Sequence, residues 1–340
     1  MGKNAKKKIR AAIVTFIICT ALSGAALADS GKLIPVGAAV GIQIKTDGVM
    51  VVDVAAVETD DGSVCPAGDA GILPGDVIVM LGGIETHTAA DLTAAVASLS
   101  GEPTSVTVER GDRTIQFTVT PALEHNGSPR LGLWLRDGIA GVGTITFIDP
   151  ETGMFGALGH GVSDIKTGML LPLSSGNVCR AQIASVKPGK AGEPGELCGN
   201  INFSDIVGSI ENNTPSGIFG AMAASFSHNA AVPVADDSEI VSGPATILAT
   251  VSGEDIETYA VEISRTVLGG SDGRSLLVHI TDQKLLNMTG GIVQGMSGCP
   301  ILQNGKLVGA VTHVLVSDPT RGYGITISRM LDELAADMAA

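Results

Sequence analysis

Gly295-Met296-Ser297-Gly298 sets a serine between two glycines, and the apolar run Cys299-Pro300-Ile301-Leu302 leads from it to Asn304-Gly305. Both central residues of a type I′ turn need positive φ, so Asn-Gly between apolar runs predicts a β-hairpin. Its second strand is Lys306-Leu307-Val308-Gly309-Ala310-Val311. A sharp glycine turn feeding a hairpin requires a sheet around it. Glycines on either side of a hydroxyl also let backbone N–H groups converge where the side-chain oxygen points. Gly295 and Ser297 are the expected donors of an oxyanion hole beside the Ser297 nucleophile. An ordinary surface serine fits the same turn, and the rest of the chain has to decide.

The composition agrees with short strands joined by tight turns. Of 340 residues, 45 are glycine, 44% are hydrophobic and only 3% aromatic, so the core is built from Val, Ile, Leu and Ala. The length suits about two domains. Lys3, Lys6, Lys7, Lys8 and Arg10 precede an apolar stretch ending at Ala26-Leu27-Ala28, the order of a secretory signal. Residues 1–28 are read as a signal peptide, or as an anchor through residues 11–28, with the remainder outside the cytoplasm. Removing them takes away five cations and no anion, shifting the formal net charge from −14 to −19. So acidic a protein has no electrostatic reason to bind nucleic acid. No cysteine or histidine spacing matches a zinc site, and neither a metal nor a cofactor is expected. Cys179 and Cys198 are candidates for a disulfide that spacing alone does not decide.

Residues 33–123 read as short strands around one helix. Strands are expected over residues 40–45 and 48–54, a helix from Thr88 to Ala97, and a hairpin over residues 106–119. Leu73-Pro74-Gly75-Asp76 carries turn chemistry ahead of an apolar strand. With Gly71-Ile72 before it and Val77-Ile78 after it, this stretch resembles the PDZ domains of bacterial proteases. That resemblance implies a peptide added as a strand beside a carboxylate-binding loop, and residues 37–42 are matched to the loop, with Val40, Gly41 and Ile42 as its peptide-binding residues.

Residues 124–130 form a polar boundary, and residues 131–336 read as a second, β-rich domain. Within it, Gly156-Ala157-Leu158-Gly159-His160-Gly161 leaves an imidazole unobstructed in a glycine turn, where a general base is useful. The other histidines lie in polar turns or strands; His313 lies near Ser297 if the hairpin forms. A base and a nucleophile 137 positions apart on a β chain follow the logic of a chymotrypsin-like double barrel, each barrel contributing one group. The fold expected is therefore mainly β, a PDZ domain followed by a chymotrypsin-like double β-barrel.

The segments 131–144, 156–160, 289–298 and 309–314 together resemble the stage IV sporulation protein B (SpoIVB) serine peptidase family. The resemblance implies a His160, Asp282 and Ser297 triad, whereas residue chemistry alone reads Asp282 as a turn or cap residue and leaves Asp164 as a rival. Thr312 and His313 are expected to line the substrate strand. The family commonly has Ser where this chain has Cys299, which is read as a small packed side chain. The resemblance further implies a sporulation signalling protease secreted across the forespore membrane into the intermembrane space. It would cleave itself and a membrane-bound regulator of an intramembrane protease that processes a sigma factor. The alternative is a non-catalytic PDZ-based peptide sensor with a vestigial protease domain.

Overall fold

The computed structural model describes residues 31–111, 113–265 and 274–338, so the segment read as signal or anchor lies outside the described residues. Among the described residues no helix is long and apolar enough to cross a membrane. The chain enters through β1 (Lys32–Pro35) and β2 (Ala39–Val54). Val40, Ile42 and Ile44 are buried while Gln43 and Lys45 face outward, the two-residue period of a strand with one face in a core.

Past residue 45 the same strand enters the small domain. There α1 (Pro66–Ala70), β3 (Val77–Leu81), α2 (Ala89–Ala97), β4 (Thr104–Arg110) and β5 (Arg113–Val119) follow. β2 pairs with β3, β3 with β4 and β4 with β5, over a core containing Val51, Ile72, Ile78, Leu92 and Val106. Thr88 starts α2 in a reciprocal capping box with Asp91, which satisfies two orphan N–H groups of the first turn. The expected turn at residues 73–76 is locked by buried Asp76. Its carboxylate accepts from Leu73 N at 2.9 Å and from Arg110 Nε and Nη2 at 2.6 and 2.8 Å.

β6 (Leu133–Ile148) returns antiparallel to β2 over nearly its whole length, residues 133–136 against 54–50 and residues 138–144 against 45–39. The two short strands read at residues 40–45 and 48–54 are thus one 16-residue strand, and β6 is a second of the same length, each shared between domains. After β6 come β7 (Met154–Ala157), β8 (Ser175–Lys187), β9 (Glu196–Thr214) and β10 (Gly217–Met222). Their pairings close a six-stranded ring, β2-β6-β7-β10-β9-β8 and back to β2. The small domain is therefore inserted between the first two strands of this barrel, and the expected boundary at residue 33 is corrected: residues 32–45 belong to the barrel. Cys198 lies opposite Ser185, six residues along β8 from Cys179, about 20 Å away at strand spacing, so the two do not pair.

A second closed barrel follows the same order: β11 (Gly243–Thr250), β12 (Ile256–Arg265), β13 (Leu276–Ile280), then β16 (Arg321–Thr326), β15 (Lys306–Val314) and β14 (Pro300–Gln303). A short helix, α3 (Gln283–Thr289), precedes β14, and α4 (Ile327–Met338) ends the described chain. Ile327, Met330 and Leu334 of α4 share one buried cluster with Phe147 and Phe219 of the first barrel and Leu307 and Ile325 of the second. This apolar seam holds the barrels together.

Asp76→Ala leaves the Leu73 N–H and the Arg110 guanidinium without their acceptor. It is expected to lower stability by about 2 kcal/mol, read as a lower urea midpoint of the transition that reports the small domain.

Candidate active site and peptide groove

The Ser297 turn is held from the other barrel. Thr144 Oγ1 on β6 donates to Gly295 O at 2.8 Å, Thr146 Oγ1 donates to Gly298 O at 2.8 Å, and Thr144 N donates to Ser297 O at 3.1 Å. β6 passes so close that a Cβ on Gly298 would lie 2.1 Å from Thr144 O, and Gly298 has φ +97°, so the second glycine of the motif is required twice over. The hairpin after it forms as expected, with Asn304 and Gly305 at φ 52° and 75°.

Two carbonyls decide where the turn's N–H groups point. Gln294 O accepts from Leu197 N at 2.9 Å and Met296 O accepts from Cys299 N at 3.1 Å. In a trans peptide the following N–H points the opposite way, so those of Gly295 and Ser297 face away from these bonds. Neither has an acceptor among the described residues. This is the arrangement an oxyanion hole needs.

His160 follows β7 in a tight turn where Leu158 and Gly159 have φ 67° and 69°. Positive φ at a leucine is a strained conformation, costing on the order of 1–3 kcal/mol, and such strain concentrates at functional sites. A Cβ on Gly159 would lie 2.9 Å from Thr312 Cγ2 and from Ile325 Cγ2, so this turn is pressed against the second barrel. His160 Nδ1 lies 2.9 Å from Gly161 O. A carbonyl only accepts, so Nδ1 carries the proton and Nε2 is left as the basic nitrogen. Burial lowers the His160 pKa below its ordinary value, outweighing the opposing effect of the Gly161 contact, and keeps the ring neutral. Its ring centroid is 4.9 Å from that of His313 on β15.

The β14–β15 ladder ends beyond Pro300 opposite Ala310, and Gly298 N and Cys299 O close on Val311. Among the described residues no strand pairs with that edge of β15 at Thr312, beside Ser297. The Ser297 hydroxyl donates to Thr312 O at 2.6 Å, on that same edge.

Asp282 is not brought to this pair. Its carboxylate accepts from Leu285 N at 3.1 Å and from Ala260 N at 3.3 Å, as the N-cap of α3. Leu277 and His313 both lie opposite Tyr323, and Asp282 is five residues past Leu277 on an extended path, about 16 Å along it. The cap reading of Asp282 describes its contacts, and the orienting role implied by resemblance does not. Leu285, Ala260 and Lys284 hold its carboxyl below the usual range against a smaller opposing effect of burial. The rival Asp164 is buried and accepts from Thr167 N and Lys166 N at 2.8 and 3.0 Å, with Arg136 Nη1 at 2.6 Å. Burial pushes its carboxyl up, but these groups together outweigh that and hold it low. Cys299 is fully buried, and burial pushes its thiol up to about 12, so it packs and does not attack.

Val40, Gly41 and Ile42 are corrected. They lie inside the first barrel with β6 on one edge and β8 on the other, so no peptide strand can add there. The groove of the small domain lies elsewhere, a cavity of about 830 Å³ between α2, at Leu92 and Val96, and residues 130–135. At its end Leu131 O accepts from Ala67 N and Gly132 O from Ala55 N, which turns the N–H groups of Gly132 and Leu133 away from those bonds. Gly132 has φ +71°, and a Cβ there would lie 2.2 Å from Ala55 O. Beyond it, residues 133–136 pair with β2 on one edge, and among the described residues no strand pairs with the other. The signal in the sequence was Leu131-Gly132-Leu133, the apolar-Gly-apolar step just after the polar boundary.

Two six-stranded barrels of identical order, one supplying His160 and the other Ser297, define a chymotrypsin-like serine peptidase domain carrying an inserted PDZ domain. Residues 127–331 match the SpoIVB peptidase S55 family, and the chain belongs to that family. Residues 63–110 match a PDZ domain. The chain is 35% identical over 86 residues to the putative serine protease HhoB of Synechocystis sp., which is 23% of this chain and 20% of that protein. It thus spans about a fifth of that curated relative. Among solved structures it is similar to the PDZ domain of the SdrC-like protein from Listeria monocytogenes, with 22% identity, 27% of this chain and 90% of that one covered, and TM-score 0.22. It is also similar to the inactive form of the Rv3671c protease, with 14% identity, 57% and 83% covered, and TM-score 0.32.

Asparagine caps a helix as well as aspartate does, so Asp282→Asn is expected to keep stability within a few tenths of a kcal/mol, while Asp282→Ala costs about 1 kcal/mol. Peptidase kcat should stay within a few-fold in Asp282→Asn. A drop of about 10⁴-fold, as when a triad aspartate is amidated, would show instead that the carboxylate orients His160.

Proposed function

We propose that this protein is a serine endopeptidase using a His160–Ser297 dyad. The observation that carries the reading is that the turn of a Gly161-tethered His160 packs on the serine turn, where a Cβ on Gly298 would lie 2.6 Å from Leu158 N, and that the Gly295 and Ser297 N–H groups lack acceptors among the described residues. A substrate strand pairs with the open edge of β15, and its N–H replaces the Ser297 hydroxyl on Thr312 O. The hydroxyl turns to His160 Nε2, which takes its proton as Oγ attacks the scissile carbonyl carbon. The Gly295 and Ser297 N–H groups receive the oxyanion. His160 then returns the proton to the leaving amine, and a water molecule, activated in the same way, releases the acyl group. The Gly161 carbonyl does the tautomer-fixing that a carboxylate does in a triad, and Asp282 supports the turn by capping α3.

The PDZ groove takes a peptide C-terminus, with the carboxylate on the Gly132 and Leu133 N–H groups and an apolar side chain between Leu92 and Val96. The physiological reading follows from family membership and from the charged and apolar N-terminal segment. The protein is exported across the forespore membrane, or anchored there, cleaves itself near its N-terminus, and cuts a membrane-bound regulator of an intramembrane protease during sporulation.

Ser297→Ala is expected to abolish self-cleavage and peptide cleavage, a loss of about a millionfold where the nucleophile of a comparable site was removed, with far-UV circular dichroism unchanged. For the wild type, kcat/KM should fall on the acid side as His160 protonates, with an apparent pKa below 6.5 because burial disfavours the imidazolium. A purified protein that neither cleaves nor is labelled at Ser297 by a fluorophosphonate is a peptide sensor instead. For the groove, Gly132→Ala is expected to weaken binding of a peptide with a free apolar C-terminus by at least about tenfold, while the amidated peptide binds weakly to both proteins in fluorescence anisotropy.

A further inference from the structure

Next to the Ser297 turn, a pocket of about 510 Å³ opens between β6, the loop after His160 and the start of β9. Its walls include Ile139 and Val142 of β6, Ile165 of the His160 loop, Leu197 of β9 and the backbone of Gly295. No residue of β15 lines it. This placement decides which part of a substrate it meets. The acyl side of the peptide runs along β15 from Thr312, its carbonyl oxygen points to the Gly295 and Ser297 N–H groups, and the leaving amine departs on the opposite side of Ser297. That side is the one closed by Gly295 and Leu197.

The chemistry of the walls is apolar with one free carboxylate. Ile165 is 93% exposed, an isoleucine held in water at the mouth of the pocket, where an apolar partner would remove it from solvent. A carboxylate, that of Glu196, stands at the rim beside Leu197; Lys187 lies opposite it across the β8–β9 ladder and forms no ion pair with it among the described residues. The cation of the pocket, Arg136, is already committed to Asp164. The carboxylate that lines the pocket, with Lys187 outside the lining, therefore disfavours an acidic substrate residue and favours a basic one.

We infer that this pocket is the subsite for the substrate residues following the scissile bond. Ile165 and Val142 receive an apolar side chain at the first position after the cut, and Glu196 selects Lys or Arg over Asp or Glu at the second. The inference rests on the peptidase reading above and adds to it a recognition rule on the leaving-group side.

The test uses the full chain and internally quenched peptides identical up to the scissile bond. One pair carries Leu or Asp at the first position after it, and a second pair carries Lys or Glu at the next. The wild type should prefer Leu and Lys by about tenfold or more in kcat/KM, the scale at which one pocket contact discriminates. Ile165→Asp should collapse the Leu preference and leave the Lys preference in place, and Glu196→Lys should reverse the second pair and leave the first. Ile165 is on the surface, and labelling of Ser297 by a fluorophosphonate reports that each variant is folded. Labelled, active wild type with ratios near one, or ratios that neither variant changes, overturns the pocket assignment while the peptidase reading stands. Absence of labelling and of cleavage in the wild type overturns the peptidase reading itself, and the subsite with it.

Discussion

The pairing of β2 with β6 is the interaction on which the rest depends. Each strand is 16 residues long, and the ladder between them runs through both domains with a bulge at residues 136–138. Below the bulge it closes the first barrel; above it, the same two strands are neighbours in the PDZ sheet. The PDZ domain is thus no appendage on a linker, because it leaves the barrel on one strand and returns on the next.

β6 also connects the two candidate sites physically. Residues 133–136 present the open edge of the peptide groove, and Arg136 holds Asp164 in the loop after His160. Residues 139–142 line the pocket beside the oxyanion turn, and Thr144 and Thr146 hold the carbonyls of Gly295 and Gly298. Met169, from the His160 loop, lies against Gly75 in the PDZ turn. The His160 loop, the Ser297 turn and the edge at residues 133–136 are all referenced to one strand, which explains how two barrels far apart in sequence can be held in register at Ser297.

Local chemistry was legible wherever a few adjacent residues impose a conformation. The Asn304-Gly305 hairpin, the capped helix from Thr88, the turn at residues 73–76 and the glycine turns of His160 and Ser297 all form as their residue types require. Cys299 was legible as a packed side chain for the same reason, a small apolar group in an apolar run. The PDZ loop was misplaced because Val40-Gly41-Ile42 and Leu131-Gly132-Leu133 carry the same apolar-Gly-apolar signature. Only strand pairing distinguishes them: the first has both edges occupied, the second has one open. Asp282 shows the same limit, since a carboxylate at a strand end looks alike whether it caps a helix or orients an imidazole.

By itself, then, the sequence determined the mainly β character, the turns, the nucleophile's glycine setting and the family, because each is written in short-range steric requirements or in long matching segments. Tertiary structure alone decided that the PDZ domain is inserted inside a barrel. It also decided that the Gly295 and Ser297 N–H groups turn away from the bonds that anchor their peptides. The insertion depends on strands paired as far apart as Ala39 and Thr144, and the aim of the turn on Leu197 N reaching Gln294 O, and hydrogen bonds between distant strands leave no mark on local composition.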